Sequence, residues 1–341
     1  MDGALIACLA GLGGGAVLGL AARAGRFCMM GAIEDAVYGA DTERLRMLAI
    51  AAASAIAGTA LLIAAGGLDP AATLYLRTGW SPAASVIGGL AFGYGMAQVG
   101  TCGFGALARA GGGDLRSVVI AATVGVAGYA ALSGPLAALR TALLPPETAL
   151  AGQPSIAALL AEPFGLPPAL PALLVALAFA LAARAGRRPR RASVGWGVAA
   201  GLAVPFAWGA TSAASGGFAV VPVEAFSFVA PLGETVMAAM TAELRLPDFS
   251  ISAVIGVVAG AAIGAHWREG IRWEACDDAR ELRRQLFGAG LMGVGGVVAL
   301  GCSVGQGLSA LSVLALGAPL TVVSILLGAR LGLYVLVEAP G

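Results

Sequence analysis

The sequence predicts an all-α polytopic membrane protein, on three observations. Of 341 residues, 59% are hydrophobic and only 11% charged, with a mean hydropathy of +0.89. A soluble domain carries about 25% charged residues, so this chain has too little charge to cover a water-facing surface. Apolar runs near the ~20 residues that span a bilayer recur along its length. Glycine contributes 52 residues with no collagen period, and small residues let membrane helices approach closely. The formal net charge of +1 gives no basis for nucleic-acid binding.

Spanning helices are expected at about 3–22, 46–66, 83–100, 117–139, 168–186, 194–210, 250–266, 286–300 and 319–338, which makes about nine crossings. Several are short and end at Gly-rich turns, as discontinuous helices do. Between them lie apolar pieces too brief to span, at about 28–38, 102–110, 217–228 and 303–313. These are expected to be re-entrant half-helices, since exposed loops would be more polar. The Pro-rich stretches Leu144–Pro154 and Pro163–Pro171 read as an extramembrane connection.

Arginine, the sole cationic residue type used, fixes the expected orientation. With Arg187, Arg188, Arg190 and Arg191 in the cytoplasm, all arginines except Arg77, Arg140, Arg245 and Arg330 fall on or near the cytoplasmic side. The positive-inside rule then puts the N-terminus in the periplasm and the C-terminus in the cytoplasm of a bacterial inner membrane. Met1–Gly15 lacks a basic start, so no cleaved signal is expected and Cys8 reads as an ordinary small helix residue.

Three stretches share one pattern: Gly25 to Gly31, Gly100 to Gly105 and Gly301 to Gly305 each place a cysteine (Cys28, Cys102, Cys302) three residues before a glycine. Gly15 and Gly89 precede Cys28 and Cys102 by thirteen residues, Gly201 precedes Ala214 by thirteen, and Gly290 precedes Cys302 by twelve. Ala214 to Gly217 thereby reads as a fourth copy that lacks the thiol. The chain divides into a first repeat (1–150), a linker with one helix (151–190) and a second repeat (191–341). An odd linking crossing turns the second repeat upside down, with the centre near the midplane.

The chemistry follows from the breaks. The first turn of a half-helix carries unpaired N–H groups and partial positive charge, which suit a small oxyanion. Gly31, Gly105, Gly305 and Gly103 would let backbone approach the ligand closely. A thiol is polarizable and a weak donor, suited to a soft sulfur atom. Thr101 precedes the second thiol, and Gln306 on the third half-helix would donate an amide hydrogen to the ligand or hydrogen-bond to a neighbouring helix. Glu34 and Asp35 would orient the first half-helix, carry a coupling proton or stand at an aqueous mouth; Arg26 would attract the anion or anchor at the interface. Glu224 and Glu234 would oppose an anion. A single buried cysteine is equally an ordinary packing residue; recurrence at one repeat position argues for function. Cys276 reads as a cytoplasmic bystander. One histidine, His266, and no C-x-x-C pair argue against a zinc site, and no cofactor is expected. No nucleotide-binding motif is present, so direct ATP use is not expected.

Arg26-Phe27-Cys28-Met29-Met30-Gly31-Ala32-Ile33-Glu34-Asp35, Gly100-Thr101-Cys102-Gly103-Phe104-Gly105-Ala106 and Gly301-Cys302-Ser303-Val304-Gly305 together resemble the YeeE/YedE sulfur-transport family. The resemblance covers essentially the whole chain. It implies an inner-membrane importer of thiosulfate with an hourglass-shaped path and short re-entrant helices. It also implies that Cys28, Cys102 and Cys302 line the path and that Cys102 is the essential one. A TusA-like sulfur carrier is implied as a partner, expected to be a separate protein since the chain ends at Gly341. The alternatives are a membrane sulfurtransferase that keeps sulfane sulfur as a cysteine persulfide, a selenium-species transporter of the same family, and a channel for a neutral solute in which the cysteines only pack.

Overall fold

The computed structural model describes residues 3–144, 155–185, 188–216, 221–241, 248–268, 270, 273–274 and 278–338. Most of the Pro-rich stretch ending at Pro154, with Arg187, Gly217, Arg245, Arg272 and Cys276, lies outside the described residues. The helices are α1 (Gly3–Ala24), α2 (Met29–Val37), α3 (Glu43–Ala64), α4 (Leu74–Arg77), α5 (Pro82–Val99), α6 (Gly103–Gly111), α7 (Leu115–Leu132), α8 (Pro135–Leu143), α9 (Ile156–Ala161), α10 (Ala169–Arg184), α11 (Arg191–Ser215), α12 (Ala230–Thr241), α13 (Phe249–Arg268), α14 (Ala279–Val298) and α15 (Ala318–Leu333). A further short helix, 303–312, lies between α14 and α15 and is π-helical over Gly305–Ala310. Among the described residues there is no β-strand, and six helical stretches are long and apolar enough to cross a membrane. The protein is an all-α polytopic membrane protein.

Each apolar stretch expected to span is helical, with one change of shape. The run expected at 117–139 is two helices, because α7 stops at Leu132 and α8 begins at Pro135 after Ser133 and Gly134. Proline disfavours helical backbone at the residue before it, so Gly134 is extended (φ −94°, ψ −160°) and the helix cannot run through.

The exterior supports a lipid-facing surface. Leu174, Leu177 and Leu181 on α10 and Val323, Leu327 and Leu331 on α15 are exposed. Spacings of three and four put each set on one helix face. In water these stripes would be a liability; in a bilayer they are solvated.

The interior is built on glycine seams. On α1, Gly11 faces Phe249, Gly15 faces Ala253 and Gly19 faces Val257, while Gly256 and Gly260 of α13 face Leu12 and Ala16 in return. Contacts that advance together mean that α1 and α13 run parallel. A Cβ at Gly19 or Gly260 would collide with the opposite backbone carbonyl, so glycine is what allows this separation. The same logic pairs α3 with α11 through Gly197 and Gly201, and α5 with α15 through Gly89, Gly93 and Gly328. Helix α14 crosses back along α5, Gly95 meeting Gly288 and Gly88 meeting Gly295. Gly290, aligned in the sequence with Gly15, Gly89 and Gly201, has nothing within 4 Å of its Cβ position and takes no part in a seam.

The expected half-helices at 28–38, 102–110 and 303–313 correspond to α2, α6 and 303–312. The fourth does not stand where the glycine register put it. Ala214 is buried inside α11, which continues unbroken to Ser215, and the described residues 221–227 are non-helical. The described part of the break after Gly216 is the non-helical stretch 221–229, and the half-helix after it is α12. Proline is the cause. Pro222 disfavours helix at Val221, and Pro231 sits at the start of α12, where a missing N–H costs nothing. The extended stretch runs through the core: Phe226, Phe228 and Val229 are buried, and the Ser309 hydroxyl donates to the Phe226 carbonyl at 2.6 Å. Thr211 Oγ1 lies 2.9 Å from the Glu224 carbonyl and accepts from the Glu224 N–H at 3.3 Å. Non-helical backbone at membrane depth survives where side chains satisfy it in this way.

Candidate functional site

The three-residue spacing between cysteine and glycine has a structural cause. Cys28 is the N-cap of α2 and accepts the Gly31 N–H at 3.5 Å. Cys102 caps α6 and accepts from Gly105 at 3.4 Å. Cys302 accepts from Gly305 at 3.3 Å at the head of 303–312. Each thiol thus stands where a side chain reaches the third N–H of a helix.

The turn that presents each thiol is also repeated. Two residues before the cysteine, the backbone is left-handed: Arg26 (φ 58°), Gly100 (φ 75°) and Leu300 (φ 57°). Glycine adopts this freely, but a residue with a Cβ loses about 1–2 kcal/mol. Arg26 and Leu300 are therefore strained points beside the site, and nothing in their identity signals it in the sequence. The carbonyls freed at the breaks are recovered by side chains of the following half-helix. Arg109 of α6 donates to the Gly100 carbonyl at 3.0 Å. Gln306 Nε2 donates to the carbonyls of Ala299 at 2.8 Å and Leu300 at 3.1 Å. The amide hydrogens expected to reach a ligand are thereby committed to holding the turn.

The three motifs meet. Cys102 lies within electrostatic reach of both Cys28 and Cys302, and the Ser303 hydroxyl lies beside its thiol. Cys102 and Cys302 are buried, while Cys28 is half-buried. The Ser227 hydroxyl, from the extended stretch, is 3.9 Å from Cys302 Sγ. Around these thiols, Phe104 packs tilted against Phe228 at 5.2 Å, and Phe228 stacks on Phe226 at 6.4 Å. Thr101 Oγ1 is buried without a hydrogen-bond partner, and Ser303 Oγ has no well-formed hydrogen bond beyond its approach to the Cys102 thiol. A buried polar group with no partner costs about 1–3 kcal/mol, and Thr101 carries that cost beside the thiols. Ser303 was missed from the sequence; its place directly after a motif cysteine was the available signal.

The glycines play unequal parts. A Cβ on Gly105 would collide with Thr101 Oγ1, and one on Gly31 with the Arg44 guanidinium. One on Gly305 would come within 2.9 Å of Ser227 Oγ and 3.1 Å of the Tyr75 hydroxyl. Gly103 is less crowded, with Leu232 Cδ1 at 3.3 Å.

Two cavities flank the thiols. One, of about 280 Å³, is lined by Arg23, Arg26, Arg44, Arg109 and Glu34 and reaches Cys28 and Thr101. Asp35 pairs with Arg44 at 3.1 Å, which accounts for the second carboxylate of the Glu34–Asp35 pair. The other cavity, of about 260 Å³, is lined by Glu224, Glu234, Ser250, Ser227, Tyr75 and Gly301. They open toward opposite ends of α13, since Arg23 packs on Gly264 near its C-terminus and Ser250 stands in its first turn. Among the described residues the remaining cysteine, Cys8, is buried in α1 and takes a hydrogen bond from Ser252 at 3.2 Å. Among the described residues no cluster suited to a metal ion is found.

The family model described as "Sulphur transport" matches residues 24–331, from just before the first thiol to the last helix. The thiosulfate transporter TsuA of Escherichia coli (strain K12) is 27% identical over 321 residues, covering 88% of this chain and 86% of that protein. Both descriptions are of transporters. With a match that encloses all three cysteine-capped half-helices, this chain belongs to the sulphur transport family.

Proposed function

We propose that this protein takes up thiosulfate, or a closely related sulfur-containing anion, across a bacterial inner membrane. The carrying observation is that three thiols cap three short helices that come together between two cavities. Each cap leaves further N–H groups of a first helical turn available to an oxyanion. The thiols offer weak, polarizable contacts that bind a soft sulfur atom and still release it. The buried cysteines close the way between the cavities, and Thr101 and Ser303 are the hydroxyls that would turn to the anion as it passes.

The inverted repeat is part of this proposal, with halves 1–150 and 191–341 joined by a linker carrying α10. Helix pairing supports it: α1 packs on α13 as α11 packs on α3, and α5 packs on α15 as α14 packs on α7. In that layout the N-terminus is periplasmic and the C-terminus cytoplasmic. The arginine-lined cavity then faces the cytoplasm, where positive charge is favoured and would draw the anion inward.

Two measurements test this. Cells lacking other sulfate and thiosulfate importers should accumulate labelled thiosulfate when they express this chain. Background accumulation from a well-expressed protein would end the proposal. Thr101→Val should leave the melting temperature of the ligand-free protein unchanged or raised, because a buried hydroxyl without a partner stabilises nothing, and Ser303→Ala, which loses only an approach to the Cys102 thiol, should lower it by little. The same variants should reduce the thermal shift produced by thiosulfate, since that shift tracks affinity. Undiminished thiosulfate shifts would remove these hydroxyls from the path.

A further inference from the structure

The two cavities carry opposite charge. Arginines dominate one, whereas Glu224 and Glu234 line the other with no arginine among its described lining residues. Yet the carboxylate-lined cavity also holds what an oxyanion needs. The Ser227 and Tyr75 hydroxyls stand beside the Gly305 backbone, and Ser227 leads on to Cys302 at 3.9 Å.

The groups that face Glu224 deepen the conflict. Glu234 on α12 and Asp248 ahead of α13 both add negative charge. Tyr75, from α4, also senses Glu224 and Cys302. Ser250 Oγ donates to Glu224 Oε2 at 3.1 Å, and the backbone of Glu224 is clipped to Thr211. Glu224 is therefore held in place, so it cannot swing out to water when an anion arrives. An ionised carboxylate in a desolvated site beside a divalent anion is heavily penalised, and a group so placed neutralises by taking a proton. A neutral carboxylic acid gains an O–H donor, which turns a repulsive wall into a third hydroxyl for the anion.

We infer that the carboxylate-lined cavity is a binding site for a small sulfur oxyanion together with one proton, the proton being held on Glu224. This rests on the reading of the path proposed above and adds to it a proton-linked first station. No covalent chemistry is involved: one proton moves from solvent to a Glu224 carboxylate oxygen, and the anion enters unchanged.

Isothermal titration of the purified full chain with sodium thiosulfate, at about pH 6 and about pH 8, tests the linkage. Each titration is repeated in buffers of different ionisation heat, so that the proton count is read directly. Binding linked to one proton weakens up to about tenfold per pH unit above the range where the site holds that proton. The wild type should therefore bind more weakly at the higher pH and take up close to one proton per anion. Glu224→Gln, whose amide oxygen can still accept from Ser250, should bind with the same affinity at both pH values and take up no proton. Glu224→Asp should retain the proton uptake, which guards against a folding artefact in the glutamine variant. Wild-type binding that is equal at both pH values without proton uptake overturns the inference and leaves the transport proposal standing. Proton uptake that persists in Glu224→Gln overturns the assignment to Glu224. Absence of thiosulfate binding by the wild type at both pH values overturns the inference and the substrate reading together.

Discussion

Cys102→Ala lowers thiosulfate uptake about tenfold or more, and Cys102→Ser recovers little of it. The expected loss corresponds to one contact to a charged ligand, about 1.5–3 kcal/mol. The serine variant separates two roles of this side chain. As an N-cap, serine is preferred, and alanine costs about 1 kcal/mol. Elsewhere the chain caps with oxygen: Ser81 at α5, Asp114 at α7, Ser155 at α9 and Asp278 at α14. Sulfur caps a helix at the three breaks, Cys28, Cys102 and Cys302. If capping were the whole purpose, Cys102→Ser would melt no lower than the wild type and transport as well. Retained stability with lost uptake assigns the sulfur to the passing anion. Uptake at the wild-type rate in Cys102→Ser would return these cysteines to a packing role.

The second large effect is at Gly105. Exchanging glycine for alanine inside a helix ordinarily gains about 1 kcal/mol. Here the new methyl collides with Thr101 Oγ1, one residue from the central thiol. Overpacking of this kind costs about 1–3 kcal/mol, and relief requires Thr101 or the head of α6 to shift. Gly105→Ala should therefore both lower the melting temperature and cut uptake about tenfold or more, since the N–H that Cys102 accepts is the one displaced. Gly290→Ala is the matched comparison: its Cβ position is open, and the helix should gain slightly with uptake unchanged. Equal behaviour of the two variants would refute the assignment of Gly105 to the site.

Much of the bundle is written locally. Hydropathy marks where the helices lie, because a spanning helix satisfies its own backbone and needs only apolar side chains. The Cys-x-x-Gly spacing marks the three half-helices, because capping is a contact between residues three apart. A family resemblance resting on these same residues agrees with the family match across 24–331.

Other features depended on partners remote in sequence. Helix α11 ends at Ser215 as the glycine register expects, but the half-helix after it begins only at Ala230, Thr211 and Ser309 satisfying the non-helical backbone at Glu224 and Phe226, and no glycine count contains that. Gln306 turned inward to Ala299 and Leu300, although its position on a half-helix suited a ligand equally well. Thr101 and Ser303 came to lie buried beside the thiols with no well-formed hydrogen bond, which depends on what packs around them. The opposed charge of the two cavities arises from arginines of α1, α3 and α6 on one side and carboxylates of the extended stretch and α12 on the other. Residues that are neighbours along the chain determined the helices, their caps and the family. Which thiols, hydroxyls and charges face one another was decided by tertiary packing, because those groups are more than seventy positions apart in pairs such as Ser227 and Cys302.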